Sequence, residues 1–434
     1  MGKSFLYKTL VPINRFIHYQ NSGGIVLLTS VILALFFANS PMKEAFHHFW
    51  ETSLRIGFID LEMNYSLHHW VNDGLMAMFF FVVGLELKRE IIAGELSSFK
   101  KAMLPIVAAI GGMVFPALFY LAFNQGLPSS GGWGIPMATD IVFTLALIGL
   151  VSKKVPLAAK VFLVALATVD DLGAVLVIAF FYSSELAFSN LIFGLILLCV
   201  LLLANFMGVR NMYFYAIIGI GGVWLAFMLS GVHATIAGVL VAFTIPARKK
   251  INEKIYSEYI HRLLKGFDKE IPIKGPLMTS KQHQIIEEIK ATSLDAQAPS
   301  QKLEIALHPW VTFLVIPLFA ISNAGVEIGS NFLEDLLNPI TIGIVVGLIG
   351  GKFIGVVFFT WLLVKTKIAP LPQNTTWQHI MGLAFLAGVG FTMSLFITNL
   401  AFDDLQMIDQ AKYGILLASL ISGTAGVLIL RNIK

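Results

Sequence analysis

Charge and cysteine are both scarce in this chain of 434 residues. Charged residues make up 13% of it, against about 25% in a typical soluble domain. The single cysteine, Cys199, excludes an intrachain disulfide. A P-loop of the form G-x-x-x-x-G-K-[ST] is also missing, so the sequence predicts no ATP-driven activity. We expect neither a cofactor nor an enzymatic reaction.

Long apolar runs, in contrast, are abundant, because 57% of the residues are hydrophobic. A helix needs about 20 apolar residues to cross a hydrocarbon core of about 30 Å, and each run approaches this length. The sequence therefore predicts an all-α polytopic membrane protein, with spans 1 to 8 within residues 23–247 and spans 9 to 12 within 309–434. The twelve predicted transmembrane helices lie near residues 23–39, 74–88, 102–124, 134–152, 158–182, 191–208, 213–230, 231–247, 310–326, 340–364, 380–400 and 413–430.

The distribution of lysine and arginine predicts the orientation, since cytoplasmic loops carry an excess of both. If both termini are cytoplasmic, 26 of the 30 basic residues fall in cytoplasmic segments. The opposite loops hold only Lys43, Arg55 and Lys412, and Lys352 lies inside span 10. The basic excess therefore reflects membrane topology, and we do not expect binding to nucleic acid.

Three segments lie outside the predicted spans. Residues 1–22 lack the apolar core of a signal peptide and are interpreted as a cytoplasmic interfacial helix. Residues 248–308 predict a cytoplasmic loop with a surface helix, followed by a flexible tract, "TSLDAQAPSQ" (292–301). Residues 55–70 alternate apolar and polar side chains about a turn, which is typical of a β-hairpin. Because an isolated hairpin is marginally stable, we expect this external hairpin to contact a second subunit in a homodimer.

The stretch "ATVDDLGAV" (167–175) places two adjacent acids, Asp170 and Asp171, inside span 5. At a rise of about 1.5 Å per residue, Asp170 lies about 18 Å from either end of the span, near the membrane midplane. An ionised aspartate costs roughly 2.5–3.5 kcal/mol there. The acids are either neutral, hydrogen-bonded core groups or part of an ion or proton pathway, and acids at this depth favour the pathway.

Lys352 reaches the same depth in span 10. Its side chain could extend toward the membrane surface, but its central position favours an ion pair with one of the two carboxylates. Such a pair lowers the cost of burying both charges. Glycines recur every four residues around Lys352 and predict a smooth ridge for close helix packing, formed by Gly343, Gly347, Gly351 and Gly355.

Two predicted spans carry helix-breaking residues at membrane depth. In "GWGIPMATDIVF" (132–143), Pro136 removes a backbone donor, and Thr139 and Asp140 compete for backbone groups. In "LAGVGFTMS" (386–394), glycines and a threonine interrupt span 11. The interrupted spans are 4 and 11, the middle spans of two triplets, spans 3–5 and spans 10–12. Under the predicted topology the two triplets cross the membrane in opposite directions. Paired interruptions in inverted repeats indicate a transporter's binding site. The alternative, two unrelated glycine or proline kinks, explains each break but not their matching positions in the two triplets.

Motifs in eight segments follow one another along nearly the whole chain. They are "NDGLMAMFFFVVGLELKRE" (72–90), "IVAAIGGMVFPALFYLAFN" (106–124), "IPMATDI" (135–141), "ATVDDLGA" (167–174), "SGVHATIAGV" (230–239), "LHPWV" (307–311), "SNAGV" (322–326) and "GVGFTMSLFI" (388–397). Each motif alone has low specificity. All of them in this order closely resemble the NhaA family of bacterial sodium/proton antiporters, a known example of inverted repeats.

The resemblance implies roles for particular residues. Asp171 resembles the primary cation and proton carboxylate, and Asp170 its neighbour that pairs with Lys352. Thr139 and Asp140 resemble the extended crossing of two discontinuous helices, where Asp140 offsets the half-helix dipoles. The family's pH-sensing positions map onto Glu86, Arg89, Glu90, Lys302, Glu304, His308 and His233. Because Ile305 stands where the family pattern has a histidine and the preceding loop is longer, we expect the pH dependence to differ.

The expected function is electrogenic, pH-regulated exchange of cytoplasmic sodium or lithium for external protons at the bacterial inner membrane. Sodium, held by Asp171 and Asp170 with Thr139, competes with protons while the site opens alternately to either side. Two alternatives fit less well. An intramembrane aspartyl protease needs its two acids on separate helices. A sodium-coupled solute symporter needs an organic-substrate cavity, and the sequence offers no buried arginine for one.

Overall fold

The computed structural model describes residues 22–58, 61–183, 187–270, 277–329 and 332–433. The interfacial helix predicted over residues 1–22 lies outside the described residues, except for Ser22, at which the first helix begins. Helices dominate the described chain, and one two-stranded sheet is present within it. The prediction of an all-α membrane fold is confirmed at this level.

The helices are numbered in chain order within the described residues. They are α1 (Ser22–Ala38), α2 (Lys43–Glu51), α3 (Met76–Ala93), α4 (Phe99–Asn124), α5 (Ile141–Leu150), α6 (Leu157–Phe181), α7 (Phe188–Phe206), α8 (Met212–Met228), α9 (Ala234–Thr244), α10 (Glu253–Lys269), α11 (Ser280–Ala296), α12 (Pro299–Asn323), α13 (Pro339–Lys365), α14 (Trp377–Ala387), α15 (Phe391–Ala401) and α16 (Leu405–Arg431). Shorter turns cover Leu67–His69, Trp70–Leu75, Glu95–Ser97, Pro128–Met137 and Phe332–Leu336.

Within the described chain, six helices are long and apolar enough to cross a membrane: α4, α6, α7, α12, α13 and α16. The number rises to nine if each of three bent helix pairs forms one span. Large apolar side chains also face outward, including Phe36, Phe180 and Phe206. Extended apolar surface of this kind is stable against lipid and promotes aggregation in water. The chain is therefore a polytopic helical membrane protein.

Two of the bent pairs are the interruptions that the sequence predicts. The 3₁₀ helix Pro128–Met137 meets α5 at 45°, and α14 meets α15 at 41°. Residues 138–140 and 389–390 between these halves belong to no helix or strand. Backbone of this kind at membrane depth requires polar partners from the protein itself, because lipid supplies none.

The glycine ridge of α13 packs against α4, as the sequence predicts. A Cβ atom added to Gly355 would lie 2.1 Å from the Gly111 carbonyl oxygen, and one added to Gly351 would lie 2.7 Å from the Pro116 Cα atom. Only glycine allows the two backbones to approach this closely. The approach holds the middle of α13, with Lys352, against the middle of α4.

The β-hairpin consists of β1 (Ser53–Phe58) and β2 (Leu61–Ser66). The strands pair antiparallel, with Ser53 opposite Ser66 and Phe58 opposite Leu61. The prediction that the hairpin extends to Trp70 is wrong, because a helical turn begins at Leu67. The Ser66 hydroxyl accepts a hydrogen bond from the His69 amide (3.2 Å) and so favours helix over a longer strand.

The segment 248–308 is more helical than its composition indicates. The predicted surface helix is present as α10, but the flexible tract predicted over 292–301 is wrong. Residues up to Ala296 complete α11, and α12 begins at Pro299 instead of near residue 310. Thr279 and Gln282 form a capping box that stabilises the start of α11. Polar side chains of this tract, Thr292, Ser293 and Asp295, are half-buried, and the Ser293 hydroxyl lies 3.0 Å from the Tyr256 hydroxyl of α10, so packing between the two helices orders a segment whose composition resembles a loop.

Candidate functional site

The two helix interruptions meet in space and exchange hydrogen bonds. The Asp140 amide donates to the Val389 carbonyl oxygen (2.7 Å), and the Thr139 hydroxyl lies 2.8 Å from the Ala387 carbonyl oxygen. The Thr144 hydroxyl donates to the Leu386 carbonyl oxygen (3.2 Å). These bonds satisfy backbone groups that the broken helices leave without intrahelical partners. The interruptions therefore form one crossing.

Asp140 caps both half-helices that begin at the crossing. Its Oδ1 atom accepts from the Phe143 amide (2.9 Å) in the first turn of α5. Its Oδ2 atom accepts from the amide (3.1 Å) and the hydroxyl (2.6 Å) of Thr392 in the first turn of α15. A helix N-terminus carries a partial positive charge, which a carboxylate stabilises. One buried carboxylate thus compensates two helix ends.

Asp170 lies beside the crossing, in the middle of α6. Its Oδ2 atom accepts from the Lys352 ammonium and from the Thr139 hydroxyl (2.7 Å). The single Thr139 hydroxyl hydrogen can point either to this carboxylate or to the Ala387 carbonyl oxygen. Both side chains of the Lys352–Asp170 pair are fully buried. The attraction between the charges offsets part of their desolvation.

Asp171, the next residue on α6, has a buried oxygen without a hydrogen-bond partner among the described residues. Its side chain is 1% exposed, and its Oδ1 atom accepts no hydrogen bond from the described residues. The Oδ1 atom of Asp170 is in the same situation. Buried carboxylate oxygens are as a rule hydrogen-bonded, so the unpartnered Oδ1 atoms of these two consecutive residues are available to a proton or a cation. Oxygen ligands of this type suit small hard cations.

The chain is similar to known membrane transporters over nearly its whole length. The family model of Na+/H+ antiporter 1 matches residues 14–430. The chain belongs to this family. It is 45% identical to the Na(+)/H(+) antiporter NhaA 2 of Syntrophotalea carbinolica over 420 residues, which cover 96% of each chain. It is 46% identical to NhaA of Oleidesulfovibrio alaskensis, over 98% of this chain and 94% of that one. Its identity to NhaA 1 of Psychromonas ingrahamii is 48%, over 95% of each.

The resemblance to the NhaA antiporters is thereby confirmed. Several of the residues that are predicted to sense pH form a cluster. Arg89 of α3 contacts the carboxylate of Glu304 of α12 and lies 3.1 Å from the Oε1 atom of Glu90. Glu304 is largely buried, whereas Arg89 is half-exposed. Glu86 lies one turn earlier on α3 and is partly buried. The cluster therefore joins α3 to the first turns of α12.

Three other positions that the resemblance implies, Lys302, His308 and His233, form no ion pair with a described residue. Lys302 is exposed, and the part of the chain that the structure describes gives it no ion pair. The Nδ1 atom of His308 is 3.4 Å from the Thr312 hydroxyl, one turn along the same helix. His233 precedes α9, and its Nε2 atom donates to the Tyr182 carbonyl oxygen (2.7 Å) at the end of α6. Of these three, His308 lies near enough to Arg89 for an electrostatic interaction, so the structure places it at the margin of the cluster.

Thr392 is a site residue whose role the sequence does not predict. Sequence reasoning identifies it only as part of the second interruption, although its amide and hydroxyl both bind Asp140. A signal was available, because the interruption at Gly388 and Gly390 starts a new helix, whose first amides, including that of Thr392, have no acceptor within the helix. Its partner lies 252 residues away, however, and sequence spacing gives no indication of that contact.

Proposed function

We propose that this chain is a secondary active antiporter that exchanges cytoplasmic sodium or lithium for external protons. The observation that carries the proposal is the pair of free, buried oxygens on Asp170 and Asp171 beside the crossing. The family and its sodium/proton antiporter relatives support the choice of ions. Transport without covalent chemistry also agrees with the expectation that the chain is not an enzyme.

The proposed exchange is a competition for the same oxygens. Deprotonated Asp171 supplies the main negative charge for the cation, with Asp170 and the Thr139 hydroxyl as further oxygen ligands. A proton on the Asp171 carboxyl removes that charge and releases the cation. Lys352 holds Asp170 in place, and Asp140 stabilises the two helix ends. The family resemblance implies that more protons than cations move in each cycle, which makes transport electrogenic and requires a second proton carrier besides Asp171.

Alternating access requires that the site open to one side at a time. We assign twelve spans with both termini cytoplasmic, and an inverted repeat that relates spans 3–5 to spans 10–12. The basic-residue distribution supports the orientation, and the paired interruptions support the repeat. Under this assignment α4 to α6 and α13 to α16 form one bundle, here called the crossing bundle. It rocks against the remaining spans, called the support bundle.

Regulation by pH is proposed for the seven positions taken from the family resemblance. The contact of Arg89 with Glu90 and Glu304 supports a role at the junction of α3 and α12. Glu86, Lys302, His308 and His233 are included through the resemblance. With Ile305 in place of a histidine, we expect a pH profile shifted from those of relatives that retain the histidine.

The chain is proposed to work as a homodimer in the bacterial inner membrane. The two-stranded hairpin supports this, because a sheet of two strands has edges along which a strand of a second hairpin can pair. Deletion of residues 55–66 should therefore weaken dimerisation and leave exchange measurable, since no proposed ion ligand lies there. A dimer mass that is unchanged in gentle detergent would exclude the hairpin as the contact.

The decisive experiment measures proton movement in vesicles that contain the purified protein and a pH-sensitive dye. Addition of sodium should move protons through the wild-type protein, and Asp171→Asn should abolish this response because the amide does not titrate. Asp268→Asn, on the exposed face of α10, is the matched control and should behave like the wild type. Exchange by Asp171→Asn at a rate near wild type would refute the site.

The alternative function, sodium-coupled symport of an organic solute, makes a different prediction in the same vesicles. A symporter moves sodium only together with its solute, so sodium alone would move no protons. An antiporter responds to sodium or lithium without any organic compound. A potential-sensitive dye in parallel measures whether the exchange carries net charge.

A further inference from the structure

A second polar network lies at the far end of α15 from the crossing. The Asn399 side-chain amide donates to the Asn323 Oδ1 atom (2.6 Å), and Asn323 donates in turn to the Asn72 Oδ1 atom (2.9 Å). The Nε2 atom of His68 is 3.0 Å from the same Asn323 Oδ1. Asn323 also donates to the Phe319 carbonyl oxygen (2.9 Å), so both ends of its side chain are bonded. This network joins α15 to α12 and to the turn before α3.

Aromatic packing reinforces the contact on the same face of α15. Phe396 lies one turn from Asn399 and is fully buried. Its ring centroid is 5.4 Å from that of Phe80 of α3 and 6.3 Å from that of Phe319 of α12. A buried aromatic contact excludes water, which makes the neighbouring hydrogen bonds stronger. The face of α15 that includes Phe396 and Asn399 is thus closed against α3 and α12.

We infer that the Asn399–Asn323 hydrogen bond is an external latch that must open in each transport cycle. This inference rests on the proposed function, because it uses the proposed orientation and the two bundles. Asn399 belongs to the crossing bundle, whereas Asn72, Asn323 and His68 belong to the support bundle. The latch lies toward the hairpin end, which the proposed orientation makes external. It keeps that end closed while the site faces the cytoplasm.

The position of Asn399 connects the latch to the site. Asn399 and Thr392 lie two turns apart on α15, and Thr392 binds Asp140 at the crossing. Movement of α15 away from Asn323 would therefore displace the helix end that Asp140 caps. Asn323 and Asn399 act as positioning residues, since neither is among the proposed ion ligands.

A reversible cross-link tests whether the latch must open. Cys199 is the only cysteine, so Cys199→Ser provides a background without thiols. In that background, Asn323→Cys with Asn399→Cys is joined by a short bis-thiosulfonate reagent and later released by a reductant. The linked protein should lose exchange and recover it on reduction. The matched control joins Asn323→Cys to Asn72→Cys, a pair 2.9 Å apart in the wild type that lies within the support bundle and should remain active when linked.

The outcomes separate the latch from the proposed function. Exchange that continues in the linked 323–399 protein, equal loss in both linked pairs, or failure of the 323–399 pair to link would each overturn the latch. Absence of sodium-driven proton movement in the unmodified wild-type protein would instead refute the antiporter. Recovery on reduction shows that any loss comes from the link and not from misfolding.

An independent measurement uses a thiol reporter between the latch and the site. Leu395→Cys, a buried position one turn inward from Asn399, is labelled from outside with a membrane-impermeant maleimide. Asn399→Ala should raise the labelling rate about two- to twelve-fold, which corresponds to the loss of one net hydrogen bond. Asn39→Ala removes the hydrogen bond that the Asn39 side-chain amide donates to the Val326 carbonyl oxygen (2.9 Å) within the support bundle. This variant is the control and should leave the labelling rate unchanged. A lower melting temperature with unchanged labelling would reduce Asn399 to a purely structural role.

Discussion

Lys352–Asp170 and Arg89–Glu304 are ion pairs of the same chemistry in opposite environments. Both side chains of the first pair are fully buried, whereas Arg89 is 45% exposed and Glu304 is 8% exposed. The first pair joins α13 to α6 at membrane depth. The second joins the ends of α3 and α12 near water. The comparison separates the effect of solvent from the effect of charge.

The difference shows what each pair can do. A buried pair gives little net stability when intact but is costly to break, because the remaining charge has no solvent. A pair near water is weak and is screened by salt, because water replaces the lost partner. The buried pair therefore suits a permanent support for the site. The Arg89–Glu304 pair, with a half-exposed arginine, is easier to break, as the proposed regulation requires.

The largest expected effect is that of removing one partner of the buried pair. Lys352→Ala should lower the free energy of unfolding by about 3–5 kcal/mol, because Asp170 is left without its counter-charge. The measurement is the free energy of unfolding from denaturant titration in mild detergent. Lys365→Ala, at the exposed end of the same helix, is the control and should have a much smaller effect.

A double-mutant cycle with Asp170→Asn sharpens that prediction. Removal of both charges should restore much of the stability lost in Lys352→Ala, although exchange need not recover. Strictly additive losses would contradict the pairing that the structure shows.

A smaller effect is expected for the hydrogen bond that supports the buried pair from the other side. Thr139→Val keeps the side-chain volume and removes the hydroxyl that lies 2.7 Å from Asp170 Oδ2. A hydrogen bond to a charged group contributes about 1.5–3 kcal/mol, so unfolding free energy should fall by that amount. Thr144→Val removes a bond to the neutral Leu386 carbonyl oxygen and should cost about 0.5–1.5 kcal/mol. Equal losses in the two variants would show that Thr139 does not bind the carboxylate.

Breaking the Arg89–Glu304 pair should lower the free energy of unfolding less than Lys352→Ala or Thr139→Val. Arg89→Ala is expected to cost less than Lys352→Ala, because water reaches the half-exposed Arg89 side of the pair, although Glu304 is largely buried. If the proposed regulatory role holds, the variant should still change the pH dependence of exchange. A loss of stability as large as that of Lys352→Ala would mean that the two environments do not differ as described.

The smallest effect is the response of each pair to salt. The Debye length falls from about 10 Å at 0.1 M salt to about 3 Å at 1 M. The difference in melting temperature between the wild type and Arg89→Ala should therefore shrink as salt rises. The difference between the wild type and Lys352→Ala should stay constant, since ions do not reach a fully buried pair. Parallel salt responses in the two variants would contradict this distinction.

Much of the fold follows from local sequence signals. Apolar runs of membrane length, the depth of Asp170 and Asp171, and the four-residue glycine spacing around Lys352 are properties of single helices. The interruptions at Thr139–Asp140 and Gly388–Gly390 are likewise local, because they depend on residues that disfavour helix. Composition misled in residues 292–301, where half-buried polar side chains such as Ser293 contact the neighbouring helix α10.

The contacts that make the site were decided only by the tertiary structure. The bond between Thr392 and Asp140 joins residues 252 positions apart, and that between Asn399 and Asn323 joins residues 76 apart on different helices. No periodicity relates such residues, because their approach depends on how whole helices cross and pack. The sequence by itself determined which charges and helix breaks are buried in the membrane. From the residues alone Lys352 could pair with either carboxylate, and only the packing of the helices brings it to Asp170 and leaves one oxygen of each aspartate free.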